Sequence, residues 1–235
     1  MSLMKCNGII LKESKTKDED KIIRVFTKEY GKLSFYVKDK KHNAATNIFS
    51  VVEIMFTEGE NLHKVKSTYQ IESFYNLRSD IERFTYASYF LEFIDELTEE
   101  NNKDETLFNF LCYSFKKLEA YNDLELFKII FEMRVLKEVG IYPNFFSCTQ
   151  CEKDALNFDV FKGGVLCNNC KTESSFEILK STQAAYIYIL EAKIKDVYSF
   201  KVSDGVRMEM RKINDRFIKN NIEKEFKSLK FLGVL

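Results

Sequence analysis

Two cysteine pairs constrain this chain more than any other feature. They are Cys148-Thr-Gln-Cys151 and Cys167-Asn-Asn-Cys170, with fifteen residues between them. This spacing is the usual sequence sign of a tetrahedral Zn²⁺ site, because each tight turn points two thiolates at one metal. Gly163 and Gly164 precede the second pair and permit the bend that such a turn needs. Four cysteine ligands leave no open coordination position, so the predicted zinc ion, one per chain, is structural. The alternatives are four unrelated buried thiols or two disulfides.

The composition is that of a folded protein. The chain has 235 residues, enough for two domains, and only one Pro and eight Gly, which argues against long disordered segments. It has no apolar run of about 18 residues and no basic-then-apolar pattern at its start, so we expect a cytoplasmic protein. Reduced thiols suit that compartment, which favours a metal over disulfides at the cysteine pairs.

Charge is unevenly distributed along the chain. The formal net charge is zero, which is low for a nucleic-acid-binding protein. Residues 1–80 contain 14 Lys or Arg against 11 Asp or Glu, residues 81–147 contain 7 against 13, and residues 148–235 contain 15 against 12. A polyanion would therefore prefer the two ends to the acidic middle.

The first third of the chain alternates apolar and polar residues with the period of a β-strand. We predict five strands, at 5–13, 21–27, 32–38, 49–57 and 62–73. Five strands joined by short turns favour a small barrel of the OB type, with another small barrel or sandwich as the alternative.

From Ser79 onward the pattern becomes helical. Helices are predicted at 80–99, 104–120, 123–139, 183–195 and 206–221. Ser79 with Glu82 and Asn122 with Glu125 fit capping boxes, and Gly140 fits a left-handed helix end. The predicted fold is α+β and multi-domain: an OB-type domain at 1–78, then a helical domain at 79–235 with the cysteine knob inserted at about 145–175.

Several segments resemble one known family across essentially the whole chain. They are 8–11 before the acidic turn 18–20, 22–27 leading into Tyr30-Gly31-Lys32, 131–136 running into Gly140-Ile141-Tyr142-Pro143, the glycines before the second cysteine pair, and 227–232. With the order of barrel, helices and knob, they identify the chain as similar to RecO, the bacterial recombination-mediator and DNA-repair family. One departure is that Lys38 is followed by Asp39, where the family usually has glycine.

The resemblance implies a non-catalytic, nucleoid-associated protein that binds single-stranded and duplex DNA and anneals complementary strands. It also implies that RecR is a partner in helping RecA load onto DNA covered by single-stranded-DNA-binding protein, whose C-terminal tail is a further partner. OB domains hold single strands with a basic groove and aromatic stacking, and of Phe35 and Tyr36 at most one can face outward. The candidate phosphate contacts are Lys15, Lys17, Arg24, Lys38, Lys40, Lys41 and Arg78.

An acidic tail that ends in aromatic residues needs an apolar pocket rimmed by cations, for which Lys116, Lys117 and Arg134 are available on the predicted helices. No catalytic motif is found, and His42 and His63 are expected to be solvated. Two other functions stay open. One is a zinc-stabilised adaptor whose barrel binds protein and not DNA, and the other is an enzyme with an unfamiliar site.

Overall fold

A computed structural model describes residues 2–17, 20–38, 46–60 and 62–231. The chain forms two compact units: the residues up to Asn122 together with the segment from Phe226 onward, and Asp123–Glu225. The domain boundary near Arg78 that the sequence predicts stays a prediction.

Five strands form a closed barrel in the order β1-β2-β3-β5-β4. They are β1 Leu3–Lys15, β2 Lys21–Thr27, β3 Gly31–Val37, β4 Ser50–Thr57 and β5 His63–Ser73. All neighbouring pairs are antiparallel except β3 and β5, which pair in parallel at Phe35–His63 and Tyr36–Lys64 and so close the barrel. The α+β class and the OB-type barrel predicted from the sequence are confirmed.

The barrel core is built from alternate residues of the strands. Side chains from all of the first four strands meet inside it, namely Cys6, Ile10, Ile23, Val25, Leu33, Phe35, Val37, Val52, Ile54 and Phe56. Phe35 is fully buried there, while its neighbour Tyr36 is half-buried and bonds through its hydroxyl to Asp20. The period-2 pattern therefore assigned the two aromatic residues of β3 to opposite faces correctly.

Helices complete the first unit. They are α1 Asn76–Ser79, α2 Ile81–Leu97, α3 Glu105–Leu118 and the short α7 Lys227–Lys230. Phenylalanines join them to the barrel, with Phe49 lying 5.3 Å from Phe84 and 5.9 Å from Phe115 between ring centroids. Many of the chain's 22 Phe are thus explained as core.

The second unit contains α4 Leu124–Glu138, α5 Lys180–Glu191 and α6 Asp204–Asn221. Between α4 and α5 lies a three-stranded sheet of β6 Asn157–Asp159, β7 Gly164–Leu166 and β8 Phe176–Glu177, in the order β7-β6-β8. We call residues 144–177 the knob. Helix α4 is buried along most of its length and is the core of this unit.

The helix ends correct two predictions. Asp80, not Ser79, caps α2 by accepting from the backbone amides of Glu82 and Arg83, and the Ser79 hydroxyl bonds to the Asn76 carbonyl instead. Asp123, not Asn122, caps α4. Both predicted caps were one residue early, because adjacent residues of suitable type compete for the same role. At the other end of α4 the prediction is confirmed: Gly140 has φ +80° and the end closes with the two hydrogen bonds of a Schellman motif.

Candidate metal centre and nucleic-acid interface

The four cysteines of the two C-x-x-C pairs meet in the knob. Their sulfurs all lie within 4.8 Å of one another, and Cys151 Sγ is 3.6 Å from Cys167 Sγ and 3.7 Å from Cys170 Sγ. In a tetrahedral site with Zn–S bonds of about 2.3 Å, neighbouring sulfurs are about 3.8 Å apart. The observed separations fit sulfurs bound to one tetrahedral metal. They are far longer than the S–S bond of about 2.05 Å, which excludes the two disulfides that the sequence analysis gave as an alternative.

Both pairs form turns that direct backbone amides at the first sulfur. Desolvation acts to raise the pKa of Cys148, but amides of Cys167, Gln150 and Cys151 outweigh it and lower that pKa to about 6. Desolvation opposes a lowered pKa at Cys167 too, where amides of Asn169 and Cys170 favour the thiolate. Hydrogen bonds with the Cys167 and Cys151 thiols raise the pKa of Cys170 to about 12. The cluster thus favours thiolates at its first positions while one thiol keeps its proton, as expected for four sulfurs that need a cation.

The glycines before the second pair have specific backbone roles. Gly163 has φ +67°, the left-handed conformation that glycine adopts without strain. At Gly164 an added Cβ would lie 2.3 Å from the Asn144 carbonyl oxygen, and the two residues form an isolated β-bridge. The bend predicted from Gly163-Gly164 is therefore present, and it brings the entry and the hairpin of the knob together.

Asp159 ties the knob together from inside. Its buried carboxylate accepts from the amides of Phe161 (2.9 Å) and Lys162 (3.2 Å) and from the hydroxyls of Thr172 and Ser174. Burial acts to raise the pKa of Asp159, but these four donors outweigh it and hold the pKa below its ordinary value of 3.8. One carboxylate thus joins the β6–β7 turn to the segment that follows the second cysteine pair.

The knob is fixed to helix α5. Phe145 stacks on Tyr186 with ring centroids 4.1 Å apart, and Gln183 donates from Nε2 to the carbonyls of Phe145 and Ala155. These contacts set the position of the metal-binding turns within the second unit.

On the barrel, three of the predicted phosphate contacts are exposed at one end. Lys15 ends β1 and pairs with Lys21, which in turn pairs with Val37, the residue before Lys38. Lys15, Lys17 and Lys38 are exposed there. Lys40 and Lys41 lie outside the described residues.

The other two predicted contacts are engaged inside the first unit. Arg24 donates to both carboxylate oxygens of Asp95 at 3.1 and 3.2 Å, and Arg78 donates to the Ile48 carbonyl. A phosphate would have to compete with these partners for the guanidinium donors. DNA binding by Arg24 and Arg78 therefore stays a prediction.

Sequence reasoning missed three residues on the same barrel. Lys64 and Lys66 are exposed on β5, and Tyr69 is 69% exposed. Because Lys64 pairs with Tyr36 and β5 then runs parallel to β3, these lysines lie beside the end marked by Lys38. Tyr69 pairs with Glu53, and it therefore faces outward. The alternation in 62–73 could have indicated an exposed aromatic residue.

The predicted partner-binding cations have different surroundings. Lys116 is exposed and pairs with Glu119 at 3.2 Å, and the Lys117 ammonium lies 5.9 Å from the centre of the Tyr113 ring. Arg134 is buried in the second unit, where its guanidinium donates to the carbonyls of Ile189, Leu190 and Ala192. Its role in binding a partner stays a prediction, and its present contacts hold α4 to the end of α5.

The expectation that His63 is solvated is wrong. Its ring is half-buried between Phe35 and Phe56, with centroids 5.5 and 5.2 Å away. His42 lies outside the described residues.

Two family models together match almost the whole chain. The model of the family "Recombination protein O C terminal" matches residues 78–230, and that of "Recombination protein O N terminal" matches residues 1–74. The chain belongs to the RecO family. It is 31% identical to the DNA repair protein RecO of Acetivibrio thermocellus over all of this chain and 98% of that protein. It is also 31% identical to RecO of Thermoanaerobacter sp., covering 99% of that protein, and 30% identical to RecO of Clostridium novyi, covering 95%.

As a RecO family member, the chain is a DNA repair protein with a cysteine cluster compatible with a metal site. Within the described part of the chain, no helix combines the length and the apolar character needed to cross a membrane.

Proposed function

We propose that this chain is a non-catalytic mediator of recombinational repair that binds single-stranded and duplex DNA and anneals complementary strands. It acts with RecR to help RecA load onto DNA covered by single-stranded-DNA-binding protein, whose C-terminal tail it contacts, and it works in the cytoplasm at the nucleoid. Zn²⁺ held by the four cysteines is structural. Membership of the RecO family supports this role as a whole.

The observation that carries DNA binding is the convergence of cations at one end of the barrel. Lys15 ends β1, Lys38 directly follows β3 and Lys64 lies on β5, and the register of the sheet joins these positions there. Among the residues that the structure describes, none of the three is in an ion pair. A phosphate chain can therefore reach them without displacing an acidic partner.

Tyr69 supplies the second element of single-strand binding. An exposed ring on the outer face of a barrel offers a stacking surface, and stacking tolerates any base. A few phosphate contacts and one ring support modest affinity that weakens steeply with salt, which agrees with a net charge of zero.

The zinc proposal rests on the donor set and its geometry. Four sulfurs at tetrahedral spacing would fill every coordination position, so the metal would brace the knob and activate no water or substrate.

The test is fluorescence anisotropy of a labelled single-stranded oligonucleotide, titrated at several salt concentrations. The variant Lys15→Glu/Lys38→Glu/Lys64→Glu should bind more weakly, and its log K against log salt slope should fall by about 0.7 for each phosphate that is no longer neutralised. The matched control is Lys103→Glu/Lys116→Glu/Lys117→Glu, which changes the charge of the same unit equally but at and just before helix α3.

Equal losses of affinity in both variants would mean that net charge alone drives binding and that the barrel end is no site. No binding by the unaltered chain at low salt would favour the adaptor function instead. Annealing of complementary strands and co-purification with RecR then test the remaining parts of the proposal.

A further inference from the structure

Helix α6 presents a row of cations that the barrel site does not explain. Lys212, Arg216 and Lys219 are all exposed and follow one another at spacings of four and three residues. Residues so spaced lie on one face of a helix, about 6 Å apart for each four residues of rise. We call this row the α6 stripe.

The α6 stripe lacks acidic partners, in contrast to the first half of the same helix. Arg207 contacts Asp123 at 2.8 Å, and Arg211 contacts Glu125 at 3.0 Å. Within the described part of the chain, no carboxylate lies within ion-pair distance of any of the three stripe cations. Asp215 is the acidic residue within 212–219, and its carboxylate is directed to Lys128 and Arg211.

An aromatic ring supports two of the stripe cations. The Lys212 ammonium lies 4.1 Å from the centroid of the Phe176 ring, and the Arg216 guanidinium lies 4.9 Å from it. Phe176 belongs to β8 of the knob and packs on Phe158 beneath. The ring attracts both cations and restricts their side chains, so less conformational entropy is lost when they bind an anion.

We propose that the α6 stripe is a second surface for the phosphate backbone of a nucleic acid, separate from the barrel site. A convex row of cations on a helix matches an extended chain of phosphates, and the planar guanidinium of Arg216 can contact a phosphate through two N–H groups. An acidic peptide with terminal aromatic residues needs an apolar pocket, but the Phe176 face is covered by Lys212 and Arg216. Nucleic acid is therefore the occupant that the observations favour.

The inference rests on the proposed function and deepens it. Annealing requires that two strands be held, and a protein with one phosphate-binding surface in each compact unit can contact both. The barrel site would then hold one strand through phosphates and stacking, and the α6 stripe would hold another through phosphates alone.

The test compares three full-length variants in salt titrations of DNA binding and in the annealing of complementary oligonucleotides. Lys212→Met/Arg216→Met removes both charges and keeps apolar side chains over Phe176, so the fold is preserved. Lys193→Met/Lys201→Met removes two exposed charges elsewhere in the same unit. The barrel variant Lys15→Glu/Lys38→Glu/Lys64→Glu is the third, and a thermal melt of each verifies folding.

For the stripe variant we expect the log K against log salt slope to fall by about 1.4 on a long single strand, at about 0.7 for each phosphate that is no longer neutralised. Its annealing rate should fall several-fold, while the Lys193/Lys201 control behaves as the unaltered chain. A stripe variant that binds and anneals normally would overturn this inference, and the proposed function would stand if the barrel variant fails. If neither variant differs from the unaltered chain, both proposals fail.

A labelled poly-glutamate peptide is the probe for the other class of partner. If it binds the unaltered chain but not the stripe variant, while DNA binding is equal in both, the stripe belongs to an acidic protein segment and the inference is overturned. No peptide binding, together with the reduced salt slope described above, supports it.

Discussion

The barrel and the knob are both small β structures, yet different physics holds each together. In the barrel, ten buried side chains from four strands share the stabilisation, so no single one defines the fold. The knob has strands of only three, three and two residues and depends on four thiols, one buried carboxylate and two glycines. A distributed core tolerates change at many positions, whereas the knob concentrates its stability in a few named atoms.

The largest expected effect follows from removing the metal ligands. Replacing Cys151 by Ser, or removing metal with a chelator, should unfold the knob, because structural zinc contributes about 10–16 kcal/mol to folding in zinc-finger peptides. Hydrogen exchange measured by mass spectrometry should show reduced protection in 144–177 and unchanged protection in 3–73. Metal analysis should fall from about one zinc per chain to none.

Cys112→Ser is the control for that experiment, because Cys112 lies outside the cluster and should leave the metal content unchanged. If the knob kept its protection without metal, the thiols would be ordinary core residues, and the contrast with the barrel would disappear.

The corresponding substitution in the barrel removes a large side chain from its core. Phe35 is fully buried and packs edge-on against Phe56 with centroids 5.1 Å apart. Phe35→Ala should destabilise the barrel by about 3–5 kcal/mol, as large core truncations do. Hydrogen exchange should increase in 3–73, with zinc content unchanged. Tyr69→Ala is the control, and this exposed position should change stability by no more than about 0.5 kcal/mol.

A smaller effect is expected at Asp159 of the knob. Asp159→Ala leaves the amides of Phe161 and Lys162 without their acceptor, at a cost of about 1–3 kcal/mol. Because the folded pKa of Asp159 lies below its ordinary 3.8, its contribution is fully present above pH 3.8 and is lost as the pH falls through the folded value. Thermal melts at several pH values measure this, with the exposed Asp154→Ala as control. Equal melting of the two variants would show that the carboxylate does not join the segments of the knob.

The features that the sequence predicted are those that depend on neighbouring residues in the chain. The cysteines, the glycines before them and the period-2 strands are local signals, and each was located within a few residues. Which group a surface cation contacts, in contrast, depends on residues that are distant in the sequence. Arg24 looks like any exposed strand arginine, and only the fold brings it to Asp95, 71 residues away. Arg134 was predicted as a cation available to a partner, but the fold buries it against carbonyls of α5.

The missed residues of β5 have a similar cause. The parallel pairing of β5 with β3 places Lys64 and Lys66 beside Lys38, whereas the outward direction of Tyr69 follows from the alternation of β5 itself. Strand propensity and alternation do not predict which strands pair, since they describe one strand at a time.

A modest pH effect is expected in the barrel. Burial lowers the pKa of His63 below its ordinary 6.5 against the opposing Glu58 carboxylate, and Nδ1 accepts a hydrogen bond from the Gly59 amide at 3.3 Å. The neutral ring is therefore favoured, so the stability that it gives is complete above pH 6.5 and declines as the pH falls through the folded pKa. The unfolding midpoint of the unaltered chain should be lower at pH 5.5 than at pH 7.5. The difference should be smaller in the variant His63→Gln. Identical shifts in both would assign the effect to other groups.

The smallest expected effect has the opposite sign and lies in the knob. Glu152 follows the first cysteine pair with φ +62°, a left-handed conformation that costs a non-glycine residue roughly 1–2 kcal/mol. Its side chain is exposed, so truncation removes little packing. Glu152→Gly should relieve this strain, while the greater flexibility of the unfolded chain costs about 0.4–1 kcal/mol of stability, which leaves a net gain of about 0.8 kcal/mol. Competition with a chromophoric zinc chelator would detect this gain in stability as slower metal release. The control is Lys153→Gly, which should lose stability because Lys153 is an exposed neighbour with no positive φ. If both glycine variants released metal faster, the turn would not be strained at Glu152, and the stability of the knob would be less concentrated in single backbone positions than its comparison with the barrel implies.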